Sequence, residues 1–260
     1  MRGEIREPQI PNNNVCCRMR LGGRLGIGAR HIRSLCVARL SAGGHAIVDT
    51  MSPPKAWPTA VWRYVAGAPL TYLWLTVLLV TTVIQHQLSR RQLHSLLVHG
   101  STNLYHLARD PLEVLFTSLL WIDGRYWTPY LVLFTLFLAP AERWLGQLRW
   151  LTVGLTAHVG ATYLSEGLLY LAIQLHLEPE KMVHARDIGV SYFMVGIMAV
   201  LAYHIAQPWR WCYLAILVVV FTVPLIVHVN FTAIGHFAAI CIGLCFYPMA
   251  RAAQLRDAGR

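Results

Sequence analysis

Apolar residues run along this chain in blocks rather than in alternation. From Tyr64 onward, stretches of Leu, Val, Ile, Phe and Ala recur near 65–84, 126–141, 149–173, 188–206, 211–229 and 231–249, separated by short polar segments. A helix needs about 20 apolar residues to cross the hydrocarbon layer. The pattern therefore predicts an all-α, polytopic bundle of six membrane-spanning helices. The second block is short on that count, and its start could lie back within "EVLFTSLLW".

Between the first two blocks lies "HQLSRRQLHSLLVHGSTNLYHLARDPLEVLFTSLLWIDG", polar at its start and apolar at its end. A connection this long, predicted to be partly embedded in the membrane surface, usually has a role of its own. Ser101, Thr102 or Asn103 is placed to cap a short helix within it that Pro111 ends. Residues 1–50 show no sustained hydrophobic period and no apolar core of signal-peptide length. Three readings of this basic extension compete: a disordered arm, an organellar transit peptide, or sequence upstream of a true start at Met51. The expected organisation is the extension 1–50, a membrane domain over 51–250 and a short tail over 251–260.

Composition supports the membrane assignment. Hydrophobic residues make up 56% of the 260 and charged residues 13%, too apolar for a soluble domain. The net charge of +10 raises the question of nucleic acid, but eight of the 22 basic residues lie before residue 40 and most of the rest sit at the ends of apolar blocks. No basic helix or aromatic-basic module appears, so nucleic-acid binding is not expected. Arg143, Arg149, Arg210, Arg251, Arg256 and Arg260 flank the ends assigned to the inside. With the basic extension they predict a plasma-membrane protein with both termini cytoplasmic and the lipid bilayer as its surroundings. None of the six cysteines falls in a predicted outer loop, so no disulfide framework is expected. His86, His94, His99 and His106 share the long loop, but their spacing fits no zinc pattern and no H-E-x-x-H occurs. Neither a metal nor a cofactor is implied.

Ionisable and nucleophilic groups inside spans are costly and are functional candidates by default. They are His158 and Glu166 in the third block, Ser191 and His204 in the fourth, His228 ending the fifth and His236 in the sixth. The entrance to the fourth block, "DIGVSY", crowds Asp187, Gly189, Ser191 and Tyr192 into an otherwise apolar segment. Ser191 lies about 6 Å below Asp187, and His236 about 9 Å below Asn230, at the rise of an α-helix. Both helices are predicted to run inward, so the two side chains share a depth. Gly235, Ala239 and Gly243 make a small-residue stripe on the sixth block, and Gly189 and Gly196 thin the fourth. Such surfaces let helices approach closely. A serine within reach of a neutral histidine is the minimal activated nucleophile. The alternative is that His158, Glu166 and Ser191 simply hydrogen-bond within and between helices.

The chain resembles the rhomboid intramembrane serine proteases over roughly residues 65–250. Their Gly-x-Ser-Gly pattern is similar to Gly189-Val190-Ser191-Tyr192, and their sixth-helix pattern to His236, Ala239 and Gly243. Their Glu-Arg-x-x-Gly pattern matches Glu142-Arg143-Trp144-Leu145-Gly146, and the long loop ending in "LFTSLLW" takes the place of their membrane-embedded first loop. The resemblance implies Ser191 as nucleophile and His236 as general base. Gly189, Val190, Tyr192 and Trp127 would support the site or the oxyanion, Glu142, Arg143 and Gly146 would be structural, and transmembrane protein helices would be substrates. The chain departs from the family in three places. Tyr192 replaces a glycine, Trp127 and Leu131 stand where an oxyanion histidine and asparagine are expected, and Val195 stands where an aromatic often stacks on the histidine. Losing one oxyanion donor costs about 10²–10³ in rate. An active endopeptidase and an inactive protein that binds membrane clients are therefore both carried forward. A transporter is disfavoured because no internal repeat appears.

Overall fold

Why each block becomes a helix is visible at its ends. In the computed structural model, which describes residues 56–122, 124, 126–184, 187–227 and 230–259, Pro69 opens α2 (Pro69–Gln87) after a short α1 (Ala56–Ala66). Proline suits the first turn, where its missing N–H would have no partner anyway. The donors that remain there find Glu142. Its buried carboxylate accepts from the Leu70 N–H at 3.0 Å and from the Thr71 N–H and hydroxyl, each at 2.7 Å. An acidic group at a helix N-terminus also opposes the helix dipole favourably. The extension 1–50 and the proposed start at Met51 lie outside the described residues, as does His228.

The long first connection folds as three short helices. Ser89 and Gln92 form a capping box at the start of α3 (Arg90–His99). Asn103 caps α4 (Leu104–Arg109) through the His106 N–H at 3.0 Å, and Pro111 begins α5 (Pro111–Thr117). Three side chains tie the end of this loop to α2: Trp74 Nε1 donates to Leu119 O at 2.8 Å, Gln85 Nε2 to Ile122 O at 3.1 Å, and Trp127 Nε1 to Leu75 O at 3.0 Å.

The second block is α6 (Thr128–Leu133), a π turn over Phe134–Leu138 and α7 (Ala139–Leu145). Gly146 turns the chain at φ +87°, a conformation that favours glycine, into the long α8 (Gln147–Gln174). A 3₁₀ turn at Glu180–His184 precedes α9 (Val190–Leu201), then α10 (Trp209–Val227), α11 (Phe231–Cys245) and α12 (Tyr247–Ala258). Every element among the described residues is helical. By length and composition α2 and Trp209–Ile226 can each cross a membrane, and α11 with α12 qualifies as one span bent by 48°. Val190–His204 is a shorter apolar helix.

The core forms around α9. All of its residues except Ser191 are buried, and α8 and α11 press on it most closely. Glycines make the approach possible. A Cβ on Gly196 would lie 2.2 Å from Ala157 Cβ on α8, and one on Gly243 of α11 would lie 2.3 Å from the Gly196 carbonyl oxygen. At about 18 Å, α9 is much shorter than the roughly 30 Å hydrocarbon layer. Its entrance is non-helical chain, which carries Asp187 and Gly189 into the buried interior with Ile188 half-buried between them.

Candidate functional site

The N-terminal end of α9 gathers polar groups from four elements. Asp187, 6% exposed, accepts the Tyr192 hydroxyl on Oδ2 at 2.6 Å and the Thr232 hydroxyl on Oδ1 at 3.4 Å. Its main-chain carbonyl accepts from the Thr102 N–H at 2.9 Å and the Thr102 hydroxyl at 3.1 Å. One residue thus joins the long first loop, α9 and α11. Burial pushes its carboxyl up to about 6, against the lowering effect of the Tyr192 and Thr232 hydrogen bonds.

On α8 below it lie Thr162, Ser165 and Glu166, all buried. Thr162 Oγ1 and Glu166 Oε2 have no hydrogen-bond partner among the described residues. His158, one helical turn before Thr162, faces the long first loop. Its Nε2 lies 2.9 Å from Leu115 O and 3.4 Å from Ser118 Oγ. Its ring also explains Gly189, since a Cβ there would fall 1.9 Å from His158 Cε1.

Ser191 is the one half-buried residue of α9, and its hydroxyl donates to Ile188 O at 3.4 Å. That distance is long for an O–H···O bond, so the hydroxyl is lightly held. His236 sits on the facing helix, half-buried, with a buried Nε2 that has no hydrogen-bond partner among the described residues. Its ring packs between Tyr192, at 5.2 Å with a 73° interplanar angle, and Phe221 of α10, at 5.1 Å. The structure therefore brings the helices of Ser191 and His236 together, while the α9 side chain in ring contact with His236 is Tyr192. Gly235 leaves the space for it, because a Cβ there would meet Tyr192 Cζ and Oη at 2.3 Å. Val190 and Val195 are buried in the core. Phe193 turns the other way, onto Trp74 and Trp150 at 4.7 and 4.9 Å.

Other residues singled out in the sequence have different surroundings. The Trp127 indole N–H donates to Leu75 O on α2 at 3.0 Å. Arg143 stacks over the Tyr64 ring at 4.9 Å, and His204 packs on Trp144 at 4.8 Å. With Glu142 and Gly146 these residues hold the opposite end of the bundle. Ala239 is fully buried on α11, its carbonyl 3.6 Å from where a Gly196 Cβ would be. In the long loop the His99 and His106 rings lie 5.4 Å apart. Among the described residues no group of three or more His, Cys, Asp or Glu side chains could hold a metal. Sequence reasoning missed the junction made by Asp187, Thr102 and Thr232. The signal was present in three polar residues, Asp187 and Thr232 beside apolar blocks and Thr102 in the long first loop, but their meeting depends on how the helices are rotated.

A family model described as rhomboid-like protein matches residues 63–256. No curated protein and no solved structure matches the chain. The matched span takes in α2 through α11 and more than half of the sequence, with the Glu142–Gly146 turn, the Ser191 helix and the His236 helix all inside it. By that match this chain is a membrane protein of the rhomboid-like family.

Proposed function

We propose that this protein is a six-span plasma-membrane endopeptidase with both termini in the cytoplasm, in which Ser191 attacks and His236 serves as base. The observation that carries this reading is the buried His236 Nε2, without a hydrogen-bond partner among the described residues, on a helix packed directly against the helix of Ser191. A buried imidazole nitrogen without a partner costs about 1–3 kcal/mol, and a hydroxyl proton would satisfy it. Rotation of the Ser191 side chain breaks only its long contact with Ile188 O. As the Ser191 Oγ–carbon bond forms, the hydroxyl proton moves to His236 Nε2. As the C–N bond breaks, the same proton passes to the leaving amine. Water then releases the acyl group, with His236 again acting as base. Substrates on this reading are membrane-protein helices whose outer ends unwind to reach the depth of Ser191.

A second reading, an inactive protein that binds the same class of helices as clients, is supported by two observations. The Ser191 hydroxyl bonds to its own helix entrance, and the Trp127 indole is engaged by Leu75. A serine-directed fluorophosphonate separates the two in detergent micelles. The wild type should label, and Ser191→Ala and His236→Ala should not, because an unassisted hydroxyl is a poor nucleophile at neutral pH. Peptide cleavage should be slower than labelling implies, since the family's oxyanion side chains are absent. If the wild type stays unlabelled while an active rhomboid protease labels beside it, the client-binding reading replaces the peptidase.

A further inference from the structure

We infer that Asp187 is a positioning residue that holds the Tyr192 ring against His236 and so sets the orientation of the imidazole. Three observations converge on this. The Tyr192 hydroxyl, on a side chain with no exposed surface, donates to Asp187 Oδ2 at 2.6 Å. The same ring meets His236 at 5.2 Å in a nearly perpendicular, edge-to-face arrangement, a geometry that aromatic pairs favour. Gly235, immediately before His236, is the residue whose missing side chain admits that ring, with its would-be Cβ 2.3 Å from the phenol oxygen.

Among the described residues His236 has no hydrogen bond at Nε2 to fix its rotation. In a Ser-His-Asp site a carboxylate bonded to the second ring nitrogen fixes the imidazole. Here the carboxylate acts one residue removed, by anchoring the ring on which the imidazole rests. Phe221 closes the other side at 5.1 Å. Asp187 is itself anchored, because its carbonyl accepts both Thr102 donors from the long first loop and its Oδ1 accepts Thr232. The anchor therefore spans the loop, α9 and α11. A displacement of Thr102 would reach His236 through two residues.

The chemical consequence of this inference rests on the peptidase reading, but the geometry can be tested without it. With histidine ¹³C-labelled protein in micelles, the His236 Cε1–H resonance is identified by its loss in His236→Gln. Asp187→Ala should move that resonance, because the ring current of Tyr192 depends on where the ring sits. Asp187→Asn should leave it in place, since the amide oxygen still accepts from Tyr192 and the amide N–H₂ can donate to Thr232. Fluorophosphonate labelling should follow the same order. It should fall about tenfold in Asp187→Ala and Tyr192→Phe, the rate equivalent of one aromatic pair contact at the upper end, and stay near wild type in Asp187→Asn. Tyr192→Phe keeps the ring and core volume, so it decides the matter if Asp187→Ala fails to fold. An unmoved His236 resonance in the informative variant overturns the inference, as does a moved resonance with an unchanged labelling rate. If the wild type itself does not label, the peptidase reading fails, and the resonance alone then decides whether Asp187 holds the ring.

Discussion

Helices α9 and α10 are both strongly apolar, and only one of them is a core. In α9 every residue but Ser191 is buried. In α10, Leu217 is the buried hydrophobic residue, while Ile216, Val219 and Ile226 are 65%, 57% and 77% exposed. The longer helix thus presents its side chains to lipid and the shorter one presents them to protein. Hydropathy measures the preference for leaving water, which acyl chains and neighbouring helices satisfy equally. The two helices differ in their glycine contacts. Gly196 and its partners Ala157 and Gly243 let two helices reach the α9 backbone, whereas α10 meets mainly α11.

Breaking this difference should have its largest effect at α9. In Gly243→Leu the new side chain meets the Gly196 carbonyl at 2.3 Å and Ala199 Cβ at 2.9 Å. A backbone atom cannot rotate away, so a loss of about 3 kcal/mol or more is expected, read as a lowered unfolding midpoint in micelles. Unchanged stability would mean that α9 and α11 do not meet there.

A smaller effect follows from the charge at the mouth of α9. Burial raises the Asp187 carboxyl from an ordinary 3.8 to about 6, opposed by hydrogen bonds from Tyr192 and Thr232. Glu166 of α8 and Thr102 of the long first loop are its other polar neighbours. A raised carboxyl pKa contributes stability that is complete below the unfolded value and is lost as pH rises through the folded one. Wild type should therefore gain stability over Asp187→Asn as pH falls from about 7 to about 4. Parallel unfolding midpoints across that range would contradict the buried environment of this side chain.

The smallest effect belongs to the lipid-facing helix. Ile216→Ala and Val219→Ala should each stay within about 0.5 kcal/mol of wild type, because neither leaves a cavity in protein. Destabilisation as large as that of Gly243→Leu would show that α10 is covered by a partner or a second copy.

Much of the architecture was legible because it is local. The apolar blocks predict helices, and Asn103 does cap a short one. The predicted end at Pro111 coincides with the start of the next helix, since proline fits a first turn as well as it stops a preceding one. The separate helices α1 and α12 were not visible as such, because α1 carries little polar punctuation and the bend at Phe246 lies inside an apolar run. For the site, an equal depth for Ser191 and His236 follows from counting residues along two helices. Depth uses only the rise of about 1.5 Å per residue and leaves rotation about the axis undetermined.

Sequence alone determined that this is a helical membrane protein, that Ser191 and His236 lie on helices lined with small residues, and that its motifs resemble those of rhomboids. Those properties come from residue type and spacing along one chain. Tertiary structure decided that α9 is the enclosed helix and that the Tyr192 ring packs against His236. It also decided that Trp127 binds to α2 and that Asp187 joins the loop to two helices. Successive helical residues point about 100° apart, so adjacent positions such as Ser191 and Tyr192 face different neighbours. That the Tyr192 ring reaches the histidine depends on where Gly235 leaves room for it, and that is a property of two helices packed together.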